Sequence, residues 1–131
     1  MTGTRRTSVW LVLQLACAVL GGCVAPVKPS TPEARAREWR EVVTQNRAVF
    51  DEATDLFGKG LDAPQLMTKL QDLGVHAVSV RNSFVLFYLP SHFLDGNRYL
   101  VAPTPRAGQI QDTFPSASYQ CDLGGIFYLE N

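Results

Sequence analysis

The sequence predicts an α+β domain carried behind a targeting segment. Three patterns point there. From Thr31 to Leu73 apolar residues recur at helical spacing, with capping residues at the ends. From Val75 to Leu89 that period gives way to a loose alternation and then to a continuous β-favouring run. After Pro90, the prolines Pro103, Pro105 and Pro115 exclude any long helix. Helices first and strands afterwards is the order of an α+β fold.

A length of 131 residues allows one small domain at most. Twelve Lys+Arg balance twelve Asp+Glu, so the chain has no basic field with which to hold nucleic acid. Three cysteines are too few for a disulfide-stapled scaffold. The first quarter holds an unusual share of the apolar residues, yet no stretch reaches the roughly 20 needed to span a bilayer. A large multi-domain enzyme and a polytopic membrane protein are both excluded.

That apolar first quarter reads as an address. Arg5 and Arg6 form a positive n-region, Val9 to Leu20 a 12-residue apolar core, and Gly21-Gly22 the small residues of a cleavage site. Cys23 follows, giving Leu20-Gly21-Gly22-Cys23. This resembles the lipobox of bacterial lipoproteins. The resemblance implies cleavage after residue 22, a diacylglyceryl group on the Cys23 sulfur and an acyl chain on its new amino group. Three palmitate-type chains exceed the two signals that stable anchoring requires. Val24, where an aspartate would resemble an inner-membrane retention signal, favours the outer membrane. Cys17 leaves with the signal and Cys23 carries lipid, so Cys121 stands alone, expected as a partly buried thiol.

The mature chain opens with a tether, residues 23–31, holding Pro26 and Pro29 and no apolar period. Its shortness keeps the following domain, residues 32–131, near the bilayer. Thr31 is a good N-cap, Pro32 suits the first helical position and Glu33 the positive end of the dipole. Trp39, Val42, Val43, Val49, Phe50, Ala53, Leu56 and Phe57 then form one apolar face, ended by Gly58 and Gly60. One amphipathic helix of about 26 residues, roughly 40 Å long, is expected. For so small a domain, it either covers its own sheet or in part projects towards a partner.

A shorter helix follows, with Asp62 and Gln65 as a capping box, Pro64 in its first turn, Leu66, Met67, Leu70 and Leu73 as its apolar face and Gly74 as its C′ residue. Val75 to Arg81, a turn at Asn82-Ser83 and Phe84 to Leu89 make a hairpin. Its second strand is apolar on both faces, so it belongs in the interior of a sheet. Asp95-Gly96-Asn97 marks a turn, Leu100-Val101 part of a strand and Ile126 to Leu129 a last strand. Residues 97–131 are expected as loops and strands or as poorly ordered chain.

The chemistry-bearing residues form no recognisable motif. His76 and His92 lie 16 apart without metal-ligand spacing, so His76 reads as a strand residue and His92 as a loop residue. Ser91, His92 and Asp95 are hydrolase residue types, but no G-x-S-x-G elbow accompanies them. Glu38 and Glu41, interleaved with Arg35, Arg37 and Arg40, read as a solvated salt-bridge stripe. The aromatics Phe84, Phe87, Tyr88, Phe93 and Tyr99 read as core. No enzyme, metal or cofactor is expected beyond the covalent lipid on Cys23, the one site residue assigned.

The stretch from Leu73-Gly74-Val75-His76 through Phe84-Val85-Leu86-Phe87-Tyr88-Leu89-Pro90-Ser91-His92-Phe93-Leu94 resembles the opening of OmpA-like C-terminal domains. With a lipobox and a preceding helix, the chain is similar to the IcmN/DotK lipoproteins of Dot/Icm type IVB secretion systems. That resemblance implies an α+β domain, here a truncated one, that commonly binds peptidoglycan. In the family an Asp and an Arg hold the diaminopimelate, within a T-D-x-x-G loop and an N-x-x-L-S-x-x-R-A helix. Neither stretch occurs here, since Arg98 and Arg106 lie in proline-flanked segments. Either the domain is truncated or diverged, or the last 35 residues come from a shifted frame.

The expected function is therefore a structural or interaction subunit of an envelope assembly, such as a type IVB secretion core. Its partners are the membrane lipid and envelope proteins, at the periplasmic face of the outer membrane. The alternative is a cell-wall module that tethers the outer membrane to peptidoglycan.

Overall fold

The computed structural model describes residues 31–91 and 96–131. The lipidation site Cys23, the rest of residues 1–30, His92, Phe93 and Asp95 lie outside the described residues. The described fold is α+β: helices α1 (Pro32–Gln45), α2 (Arg47–Gly58) and α3 (Pro64–Asp72), then strands β1 (Ala77–Arg81), β2 (Phe84–Leu89) and β3 (Arg98–Pro103). A single helical turn, α4 (Ile110–Thr113), precedes β4 (Tyr119–Asp122) and β5 (Phe127–Glu130). The strands form one five-stranded sheet in the order β1-β2-β3-β5-β4, with every pair antiparallel.

Helix α1 starts where its caps dictate. The Thr31 side chain accepts from the Ala34 N–H at 3.2 Å, with Pro32 and Glu33 in the first turn. The single 26-residue helix expected from the periodicity is, however, divided at Asn46, whose φ of −123° and ψ of 29° leave the helical region. Asn46 competes for the carbonyls of the preceding turn. Its side-chain amide donates to the Val42 carbonyl at 2.9 Å, and its backbone N–H is shared between Val42 and Val43 at 3.1 and 3.3 Å. The bend turns both halves onto the sheet, burying Ala36 and Val43 from α1 and Phe50 and Ala53 from α2. The helical pair covers its own sheet.

The capping box at Asp62 and Gln65 does not form. Helix α3 begins at Pro64 with Ala63 at the N-cap, so Gln65 falls one position short of where its side chain could reach back. The other end matches its expected cap. Gly74 has φ +102°, Val75 N–H bonds the Leu70 carbonyl at 3.0 Å and Gly74 N–H the Gln71 carbonyl at 3.0 Å, a Schellman arrangement. That φ favours glycine, and a Cβ would also crowd the Trp39 ring at 3.2 Å.

The β1–β2 hairpin turns through Asn82 (φ 48°) and Ser83 (φ 65°), the two positive-φ residues of a type I′ connection. Asparagine adopts that region more readily than serine does. Ser83→Gly is therefore expected to raise stability by roughly 1 kcal/mol, read as a higher urea midpoint at unchanged slope.

Strand β2 is interior, between β1 and β3, and buried along nearly its whole length. Val85, Phe87 and Leu89 face the helices, joining Phe50, Leu70, Leu100 and Tyr128 in the main core. Phe84 and Leu86 face the other side, packing with Val101, Leu129, Ile110 and Phe114. That second core is closed by the segment carrying α4, so the proline-rich C-terminal third is an ordered half of the sheet and its lid. Its strands pair with β2 and with one another.

Candidate functional site

Charge enters the interior at the end of the sheet where the first helix meets the last strand. Glu130, on β5, is buried, with 5% of its surface exposed. Arg35, on the first turns of α1, grips it with both prongs, Nε to Oε2 at 2.7 Å and Nη2 to Oε1 at 2.8 Å. The hydroxyl of Tyr128, itself fully buried, donates to the same Oε2. Arg98, on β3 directly opposite Glu130, brings its Nε to 3.8 Å from that oxygen.

Burial by itself would push the Glu130 carboxyl up. The hydrogen bonds from Arg35 and Tyr128 and the charges of Arg35 and Arg98 outweigh it, holding Glu130 below the ordinary carboxylate range. Tyr128 moves the other way, raised first by its burial and then by its bond to the carboxylate. At neutral pH the cluster is a fixed carboxylate with its acceptors in use and a tyrosine that keeps its proton. Such an arrangement fastens the first helix to the last strand.

Two further arginines extend the fastening along the helices. Arg40 donates to the Cys121 sulfur at 3.3 Å and to the Asp122 carbonyl at 3.2 Å, and Arg47 to the Gly124 carbonyl at 2.6 Å. Asp122 organises the β4–β5 turn by accepting the Gly124 and Gly125 N–H groups, each at 2.8 Å. Those two bonds, from Gly125 first, hold its carboxyl below the usual range. The expected solvated stripe on α1 is thus corrected in part. Glu38 and Glu41 are exposed, but Arg35 and Arg40 leave them and bond the sheet.

The remaining sequence-derived candidates are scattered. His76 immediately precedes β1, its N–H on the Tyr88 carbonyl at 2.7 Å. It shares the lining of a cavity of about 550 Å³ with Tyr88, Pro90, Ser91 and Asn97. Arg98 lies in β3 against Glu130, and Arg106 lines an open groove of about 640 Å³ with Asp51, Thr54, Asp55 and Thr104. The groove's carboxylates are already paired along α2, Asp51 with Arg47 and Asp55 with Lys59, each at 3.1 Å. Cys121 is half-buried beside Arg40.

Among the described residues, no three His, Cys, Asp or Glu side chains gather in a way that could hold a metal ion, and no helix is long and apolar enough to cross a membrane. The Arg35–Glu130 pair had no local signal in the sequence, because its members are 95 positions apart. Comparison with protein-family models, curated proteins and solved structures finds no match to this chain.

Proposed function

We propose that the protein is a lipoprotein anchored by Cys23 to the periplasmic face of the outer membrane, where it serves as a structural or interaction subunit of an envelope assembly. The observation that carries this reading is Leu20-Gly21-Gly22-Cys23, set behind two arginines and an apolar core too short to span a bilayer. The position of the fold agrees with it. The described domain begins at Thr31, eight residues after Cys23, and its first helix is fastened to the last strand through Arg35 and Glu130. A domain so tied suits a rigid body held close to a bilayer and presented to neighbouring proteins, and the reading assigns it no reaction.

The similarity to IcmN/DotK lipoproteins narrows the proposal to a type IVB secretion core. The OmpA-like peptidoglycan function is not carried over, because the Asp and Arg that read diaminopimelate have no counterpart in sequence.

Cys23→Ala is expected to leave an unprocessed precursor that takes up no labelled palmitate, whereas the unaltered chain is cleaved and labelled. Normal labelling of the variant would overturn the anchor. Affinity purification of the C-terminally tagged protein from detergent-solubilised membranes tests the assembly role. A stoichiometric set of envelope proteins that survives high salt is the expected result. Recovery of the protein alone would remove that role.

A further inference from the structure

The two edges of the sheet differ in how they are protected. The β4 edge is crossed by side chains, with Arg40 on Cys121 and Asp122 and with Gln120 and Asp122 exposed. Strand β1, Ala77-Val78-Ser79-Val80-Arg81, has no lysine, proline or inward charge, the usual guards of an open edge. It also carries Val80, 49% exposed, one of two large apolar residues left so open among the described residues.

Hydrogen bonding along antiparallel strands alternates from one side to the other. Thr104 N–H bonds the Ser83 carbonyl at 3.0 Å, continuing the β2–β3 register and placing the odd-numbered β2 residues on β3. The even-numbered ones, Phe84, Leu86 and Tyr88, therefore pair with Arg81, Ser79 and Ala77 of β1. The backbone N–H and C=O groups of Val78 and Val80 are left pointing away from the sheet.

We infer that this edge pairs with the β1 edge of a second copy, joining two sheets about a two-fold axis through Ser79. The strand is self-complementary in that register. The outward groups of Val78 meet those of Val80 in the other copy, and the reverse, so all are satisfied. On the helix-side face each half-exposed Val80 is covered by the other copy's Val78, which already packs at the margin of the core. Charge also permits the pairing. Arg81 is the only charged residue of β1, and antiparallel pairing sets the two copies of it at opposite ends, each opposite a small Ala77. A five-residue edge is small beside the roughly 1,200–2,000 Å² buried by stable interfaces, so the dimer is reversible and dissociates on dilution.

Disulfide trapping in the full chain, expressed in bacterial membranes with Cys121→Ser as the parent, tests the register. Ser79 would sit opposite itself in a non-hydrogen-bonded pair with Cα atoms about 4.5 Å apart, within disulfide reach. Ser79→Cys is expected to give a covalent dimer under mild oxidation. Ala77→Cys alone should give none, while Ala77→Cys mixed with Arg81→Cys should. Val80→Lys in the Ser79→Cys chain should abolish the cross-link with an unchanged melting temperature. No dimer from Ser79→Cys, equal cross-linking at 77 and 79, a cross-link to a different protein, or a cross-link that survives Val80→Lys in a folded chain would each overturn the inference. Should Val80→Lys fail to fold, the comparison of positions 77 and 79 decides alone. The parent without Ser79→Cys is oxidised beside them, so a cross-link through Cys17 or Cys23, thiols left free if the proposed lipid anchor is absent, is told apart from one through residue 79.

Discussion

Glu130→Ala is expected to destabilise the protein by about 3–5 kcal/mol, because it strips two part-buried guanidinium groups, Arg35 and Arg98, of their shared carboxylate. The loss goes beyond one ion pair. Tyr128 also loses its acceptor in a fully buried site, which costs more than the hydrogen bond itself contributes. Glu130→Gln keeps the shape and an acceptor oxygen, so it should lose less. A double-mutant cycle with Arg35→Ala should show strong coupling, because either single change already breaks the fastening.

The pH dependence follows from the depressed Glu130 carboxyl. In the unfolded chain the group titrates near the usual 4.3 or so; in the fold it holds its charge to lower pH. Between those values the unfolded state binds more protons, so stability rises with pH. The difference between the unaltered chain and Glu130→Gln should be constant from neutral pH down to about pH 5 and shrink below about pH 4. Denaturant unfolding across that range is the measurement. A difference that grows towards acid would show that Glu130 is not held ionised.

Phe50→Ala should cost a similar amount, about 3–5 kcal/mol, for a different reason. The Phe50 ring is fully buried where α2 crosses the sheet and meets Phe87 of β2 edge-on, with centroids 5.3 Å apart at 81°. Removing it leaves a cavity between helix and sheet that Ala53 and Leu70, both buried beside it in the core, are too constrained to fill. This loss should be independent of pH from 4 to 8, in contrast to that of Glu130→Gln. Equal pH dependence in both variants would mean that unfolding is governed by something other than these two contacts.

Much of the architecture was readable one segment at a time. Thr31 and Pro32 announce the first helix, Gly74 ends the third, Asn82-Ser83 turns the hairpin, and Phe84 to Leu89 declares itself an interior strand. Each depends on groups within a few residues of one another, through caps, turn dihedrals and side-chain alternation, and such terms are written locally. Local reading failed where two local signals competed. The 3.6 period ran unbroken past Asn46, yet the asparagine side chain took a carbonyl and bent the helix. Asp62 and Gln65 had the spacing of a capping box, but the helix started a residue too late to use it.

The sequence by itself determined that helices precede strands, because a cap, a turn and an interior strand are each recognised by short-range chemistry. Only the tertiary structure decided that part-buried Arg35 and still-exposed Arg40 reach from the first helix to strands more than 80 residues away. The same holds for Glu130, a residue next to the end of the chain that becomes a buried anchor, and for residues 98–130, whose strands complete the sheet. The physical reason is that a short strand or a lone charge has no preference strong enough to place itself. Its partner supplies the burial and the hydrogen bonds, and that partner is named only when distant segments meet.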